Sequence, residues 1–249
     1  MGTSRRVGEQ LAGPPAKDDS FLTDLFPSMS KRRAKFSEHL FNGILLACLA
    51  YVLTVPGSPF RERFDRWRTS ARLVQLAREN WEELSATKAL WGREDADTVK
   101  VVLFLDYECP ACRLSHASME AAASADSGLL LGIRHYPLAS IHPRAEGAAR
   151  AALCAESQNR FKEMHLLLLE TTEWRETGDW SRLAKQAAIP DLGAFQLCLD
   201  ATDTEQRLSY DRTLAEILGV SGTPTFLSRD RVHVGSLDEE QLLSFLHDS

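Results

Sequence analysis

Two cysteines separated by two residues, Cys109-Pro110-Ala111-Cys112, form the only C-x-x-C in this chain of 249 residues. In a helical turn, that spacing lets two sulfurs form and break a disulfide. The nucleophile in such exchange is a thiolate, and a free thiol ionises only near pH ~8.5. A helix N-terminus lowers that value, because unpaired backbone N–H groups and the helix dipole favour an anion. Pro110 suits the first helical position, where its missing N–H costs nothing. Cys109 is therefore expected at a helix start as the attacking sulfur, with Cys112 one turn inward as the resolving one. The dithiol itself carries two electrons, so no cofactor is expected. Other readings of the same residues exist. Cys109, Cys112 and His116 have the spacing of half a zinc site, but no second C-x-x-C or paired His completes it, so no metal is expected. Two inert buried thiols are the plainest alternative.

The elements around the pair suit the chemistry. Residues 99–105 (VKVVLFL) read as a buried central strand, and Leu114 to Ala125 as the continuing helix. Residues 129–136 (LLLGIRHY) read as a second strand. A helical stretch follows over about 143–219, then the loop Gly219-Val220-Ser221-Gly222-Thr223-Pro224-Thr225-Phe226. A short hairpin through Val234-Gly235 and an amphipathic helix from Leu237 to His247 close the chain. Pro224 heads a strand, a position proline tolerates, and a cis Thr223–Pro224 bond is expected.

Four stretches together resemble the DsbA-like branch of the thioredoxin superfamily: Asp106 through Cys112, Ile133 through Leu138 with His142-Pro143, Ala151 through His165, and Gly219 through Phe226. The resemblance covers roughly residues 90–249. It implies an α/β thioredoxin fold with an inserted helical domain, and disulfide exchange with exported proteins. It also implies that Thr223 and Pro224 lie against Cys109 and Cys112, with Pro110 and Ala111 as supporting residues, and that the Thr223 backbone aligns an incoming peptide as an added strand. Two departures matter. Many relatives carry a buried carboxylate six residues before the first cysteine, to move the proton of the resolving thiol; here Leu103 stands there. The dipeptide between the cysteines is Pro-Ala, not the Pro-His of the strongly oxidising members. Some relatives resemble a pairing of Cys154 with Cys198 as a structural disulfide; two separate buried thiols are the alternative.

The remaining polar and aromatic candidates have plainer readings. Asp106 and Glu108 read either as modulators of the thiolate or as solvated loop charges. His135, His142 and His165 read as packing or helix-start residues, and His116 as a group able to tune Cys112. Trp174 and Trp180 read as core.

The N-terminal third lies outside the resemblance. Residues 1–35 read as a flexible tail ending in the basic cluster Lys31, Arg32, Arg33 and Lys35. No charge occurs from Leu40 to Phe60, so 36–57 read as a single transmembrane helix. The basic cluster would stay cytoplasmic and the C-terminal domain would lie on the exported, periplasmic side. A buried helix and lipidation at Cys48 are the alternatives. Residues 58–90 read as an amphipathic linker helix whose Phe60, Phe64, Trp67, Ala71 and Val74 form one seam. It either packs on the following domain or pairs two copies as a homodimer.

The composition is that of a globular chain, 44% hydrophobic and 26% charged, and its net charge of −6 argues against a nucleic-acid partner, so none is expected. The expected function is a membrane-anchored thiol–disulfide oxidoreductase, over 91–249, that oxidises client proteins and is recharged by a membrane redox partner. A reductase or isomerase of the same fold, and a non-catalytic redox-sensing docking module of a membrane complex, are the competing readings.

Overall fold

The computed structural model describes residues 27–54, 57–92, 99, 101–125 and 129–247. The chain divides into two units, Met1–Phe64 and Asp65–Ser249.

In the first unit, helix α1 (Pro27–Thr54) is followed by the start of α2 (Pro59–Glu79). Ser58 caps α2: its hydroxyl accepts the Arg61 N–H at 3.2 Å, and Pro59 takes the first helical position. Residues 1–26 of the expected tail lie outside the described residues, and 27–35 are turns of α1 rather than tail. Residues 55–56 of the expected transmembrane span, 36–57, lie outside the described residues. Among the described residues no helix is long and apolar enough to cross a membrane. The uncharged part of α1 begins at Leu40 and the helix ends at Thr54.

The second unit is built on a five-stranded sheet in the order β1-β3-β2-β4-β5. Its strands are β1 (Leu90–Gly92), β2 (Val101–Leu105), β3 (Leu130–His135), β4 (Thr225–Leu227) and β5 (Val232–Val234). β2 and β3 are parallel, with Leu103 opposite Ile133, and the other pairings are antiparallel. Every residue of β2 and β3 is buried, and for β2 the unbroken apolar run implies a strand covered on both faces.

Helix α4 (Pro110–Ala125) joins β2 to β3 and packs beside the C-terminal helix α11 (Glu239–His247). Between β3 and β4 run six helices: α5 (Ala145–Glu156), α6 (Phe161–Glu170), α7 (Glu173–Thr177), α8 (Trp180–Gln186), α9 (Leu192–Leu199) and α10 (Thr202–Leu218). α5 presents Gly147 to Trp180, and a β-carbon at that position would come within 2.4 Å of the indole. Gly219, at φ 75°, ends α10 in the left-handed conformation just before the Thr223–Pro224 loop. The insert is tied to the sheet by a buried ion pair, Arg134 to Asp211 at 2.9 Å, and Asp211 also accepts the His135 N–H at 2.9 Å.

The helix expected over 58–90 is not continuous. α2 ends at Glu79, the short helix α3 (Trp81–Ser85) follows, and β1 begins at Leu90, a strand its three residues were too few to announce. The buried face also differs from the expected seam: Leu73, Ala77, Trp81 and Leu84 enter a core with Phe104 and Leu214, whereas Trp67 is 63% exposed.

His135 is fully buried, and burial holds its pKa down at about 3. The unfolded chain takes up a proton there near pH 6.5, but the folded chain does not. Stability is therefore full above about pH 6.5 and falls as pH drops toward 3. His135→Phe is expected to remove about 2 kcal/mol of the stability lost between pH 7 and 5, measured by urea unfolding at both values. Equal pH dependence in the variant and the parent contradicts this assignment.

Candidate active site

Strand β2 ends at Leu105, and the chain turns through Asp106, Tyr107 and Glu108 into α4. The turn is closed by the Cys109 N–H donating to the Asp106 carbonyl at 3.2 Å. The Cys109 carbonyl accepts the Arg113 N–H at 3.3 Å, the first bond of the helix, so Cys109 is the residue that caps it. Cys109 keeps 7% of its surface exposed and Cys112 none. Both are free thiols. A partner can therefore reach the first sulfur but not the second.

The loop opposite supplies Thr223 and Pro224, joined by a cis peptide bond. The Cys109 sulfur lies 3.2 Å from the Thr223 carbonyl oxygen, to which its thiol donates. The Cys109 pKa is lowered to about 5. The largest cause is the hydrogen bond from the Cys112 thiol. Burial opposes it, and backbone N–H groups of Cys112 and Ala111 and the Thr223 side chain add to it. Cys112 moves the other way: burial first, then Cys109, pushes its thiol well above the ordinary value. One sulfur is thus an anion at neutral pH and its neighbour a buried thiol.

Asp106 is 1% exposed and serves the loop more than the thiolate. It accepts the backbone N–H groups of Glu108 and Leu138, each at 2.8 Å, and lies 2.8 Å from the His142 ring nitrogen Nδ1. Glu108 accepts the Arg144 N–H at 2.7 Å, and its carbonyl accepts from the Arg175 guanidinium at 2.6 Å. These two acids are braces rather than solvated charges, and His142 belongs to the same brace. His116, one turn beyond Cys112, is buried with its Nε2 3.4 Å from Glu170. Trp174 is buried in the core, and Trp180 packs on it with ring centres 5.8 Å apart. Cys154 and Cys198 are disulfide-bonded, with Cα atoms 5.8 Å apart.

Sequence reasoning missed three residues. Tyr107 is buried, and its hydroxyl lies 2.9 Å from His165 Nδ1. Arg113 donates to the carbonyls of Leu168 and Thr171 at 3.0 and 2.9 Å, locking α4 to α6. Arg175 reaches the loop from α7. Only Tyr107 carried a signal, as an aromatic between two acids beside the cysteines. Among the described residues no group of three or more His, Cys, Asp or Glu is placed to hold a metal ion.

The thioredoxin family profile matches residues 84–248. The chain belongs to that family. A thioredoxin-like oxidoreductase from Silicibacter pomeroyi is 31% identical, with a TM-score of 0.55, over 62% of this chain and 87% of that one. The catalytic domain of Proteus mirabilis ScsC shares the fold at 21% identity and a TM-score of 0.60, over 70% of this chain and 97% of that domain. Curated relatives include the Na(+)/H(+) antiporter NhaA 3 of Salinispora tropica, 35% identical over 58% of this chain and 22% of that protein. A second is the NhaA 1 antiporter of Mycolicibacterium gilvum, 34% identical over 62% of this chain and 25% of that protein. The chain spans about a quarter or less of the length of these relatives.

Asp106→Ala strips the acceptor from two partly buried backbone donors and one ring, so it is expected to cost about 1–3 kcal/mol in urea unfolding. Asp106→Asn keeps an acceptor and is expected to cost less. Equal stability of Asp106→Ala and the parent refutes the brace.

Proposed function

We propose that the chain is a disulfide donor. The thiolate of a reduced client attacks the Cys109 sulfur of the Cys109–Cys112 disulfide, and the S–S bond breaks. Cys112 leaves with the electron pair and takes a proton. A second client thiolate then attacks the client sulfur of the mixed disulfide, and Cys109 departs as a thiolate. The client is oxidised by two electrons and the Cys109–Cys112 pair is reduced; a membrane redox partner restores it. The observation that carries this reading is the Cys109 pKa of about 5. A stabilised thiolate favours the dithiol form, so the disulfide is readily given up. The Thr223 carbonyl lies beside the reacting sulfur, where an extended client backbone can pair with the loop.

The Cys154–Cys198 disulfide supports action outside a reducing cytosol, on the exported side of a membrane. The antiporter relatives favour a second reading, a redox-sensing module that docks on a membrane transporter. That role would survive loss of either cysteine, whereas disulfide donation would not.

Equilibration of the full chain with glutathione buffers tests the direction of transfer. A reduction potential nearer about −120 mV than about −270 mV is expected of a donor. A value near −270 mV assigns the pair to a reductase or isomerase instead.

A further inference from the structure

Cys112 must lose a proton whenever it attacks and regain one whenever it leaves, yet it has no surface. The position that would hold a carboxylate for this purpose is Leu103, itself fully buried. The proton therefore needs another route.

A chain of polar rings lies beside it. His116 is four residues after Cys112 on α4, and both are buried. Side chains on a helix tilt toward its N-terminus, so residue i+4 leans back over residue i. His116 Nε2 meets Glu170 Oε1 at 3.4 Å, and the Glu170 side chain is 58% exposed. On the inner side, the His165 ring lies 6.1 Å from that of His116 and 5.5 Å from that of Tyr107. Trp91 completes the group, 6.2 Å from His116 and 6.5 Å from His165.

The hydrogen-bond polarity of this chain runs one way. Burial pushes the Tyr107 hydroxyl up, so it keeps its proton. Burial holds His165 well below its ordinary pKa, so its ring is neutral. With Tyr107 donating to His165 Nδ1 at 2.9 Å, the remaining ring proton sits on Nε2. In the tautomer in which His116 Nε2–H donates to Glu170, His116 Nδ1 is an acceptor. His165 Nε2, His116 Nδ1 and Trp91 Nε1 are all buried and have no protein partner. Two donors and one acceptor on neighbouring rings are the partners a single buried water takes. The other charged or titratable groups near the cluster are His135, 5.8 Å from Tyr107; Glu156, which raises the Tyr107 pKa; and Arg113, which is bound to the Leu168 and Thr171 carbonyls.

We propose that His116 and Glu170 carry the Cys112 proton between the buried thiol and solvent, with one bridging water oriented by Trp91, His165 and Tyr107. The inference rests on the disulfide-exchange reading. When Cys112 resolves a mixed disulfide at Cys109, its S–H bond breaks, the bridging water takes that proton and passes one to His116 Nδ1, and Nε2 releases one to Glu170. The Cys112 sulfur bonds to Cys109, and the partner sulfur leaves as a thiolate with the electrons of the broken bond. His116 is the proton carrier; Tyr107, His165 and Trp91 are positioning residues.

The test mixes the reduced full chain with glutathione disulfide, quenches with acid and follows the masses. Attack by Cys109 forms the glutathione adduct, and attack by Cys112 then resolves it. His116→Phe is expected to leave adduct formation within about twofold of the parent. It is expected to slow resolution at least about tenfold at pH 7, with a steeper rise as hydroxide takes over at higher pH. Glu170→Gln, at an exposed position, is expected to slow resolution about threefold, with a larger solvent deuterium effect. Resolution at the parent rate and pH profile in His116→Phe overturns the route. If that variant does not fold, the parent rate in Glu170→Gln overturns it. A parent protein that forms no adduct at Cys109 refutes the exchange reading itself and is told apart by that first step.

Discussion

The site depends on holding one sulfur as an anion beside another that cannot ionise. Cys109 sits where α4 begins, so the unpaired N–H groups of the first turn and the thiol of Cys112 face the charge. Cys112 lies one turn further in, without surface, where burial opposes a second negative charge. The same three-residue spacing gives both effects, because it spans the step from helix end to helix interior. The proposed attack by partners at Cys109 and the proposed release of Cys112 both trace to that asymmetry.

The rest of the second unit keeps this step in place. β2 and β3 are buried along their whole length, so the end of β2 is fixed where the loop begins. Asp106 then ties the loop to Leu138 and His142, and Arg175 ties it to α7. Arg113 joins α4 to α6, and the Arg134–Asp211 pair joins β3 to α10. Three of these contacts, from Arg175, Arg113 and Arg134, reach between the helical insert and the rest of the unit. The insert thus braces the redox loop and carries the His165 ring that reaches Tyr107.

Much of this was legible in the sequence, for identifiable reasons. The apolar run at 99–105 and proline after the first cysteine are local signals, and they located β2, the helix start and the dithiol. The Thr223–Pro224 loop was readable because proline heads a strand there. What failed depended on long-range partners. Asp106 looked like a loop charge, and nothing nearby reveals that the Leu138 N–H it accepts and the His142 ring beside it lie over thirty residues away. The seam from Phe60 to Val74 followed a regular spacing, but the buried face of α2 was decided by Phe104 and Leu214 in the fold.

The most direct measurement is the ionisation of Cys109 in the reduced full chain, followed by thiolate absorbance or by the pH dependence of alkylation. A midpoint near pH 5 is expected, with a marked rise in Cys112→Ala, because the Cys112 thiol is the largest stabilising contact of the anion. A midpoint near ~8.5, unmoved by that substitution, would contradict the account, since Cys109 would then be an ordinary thiol.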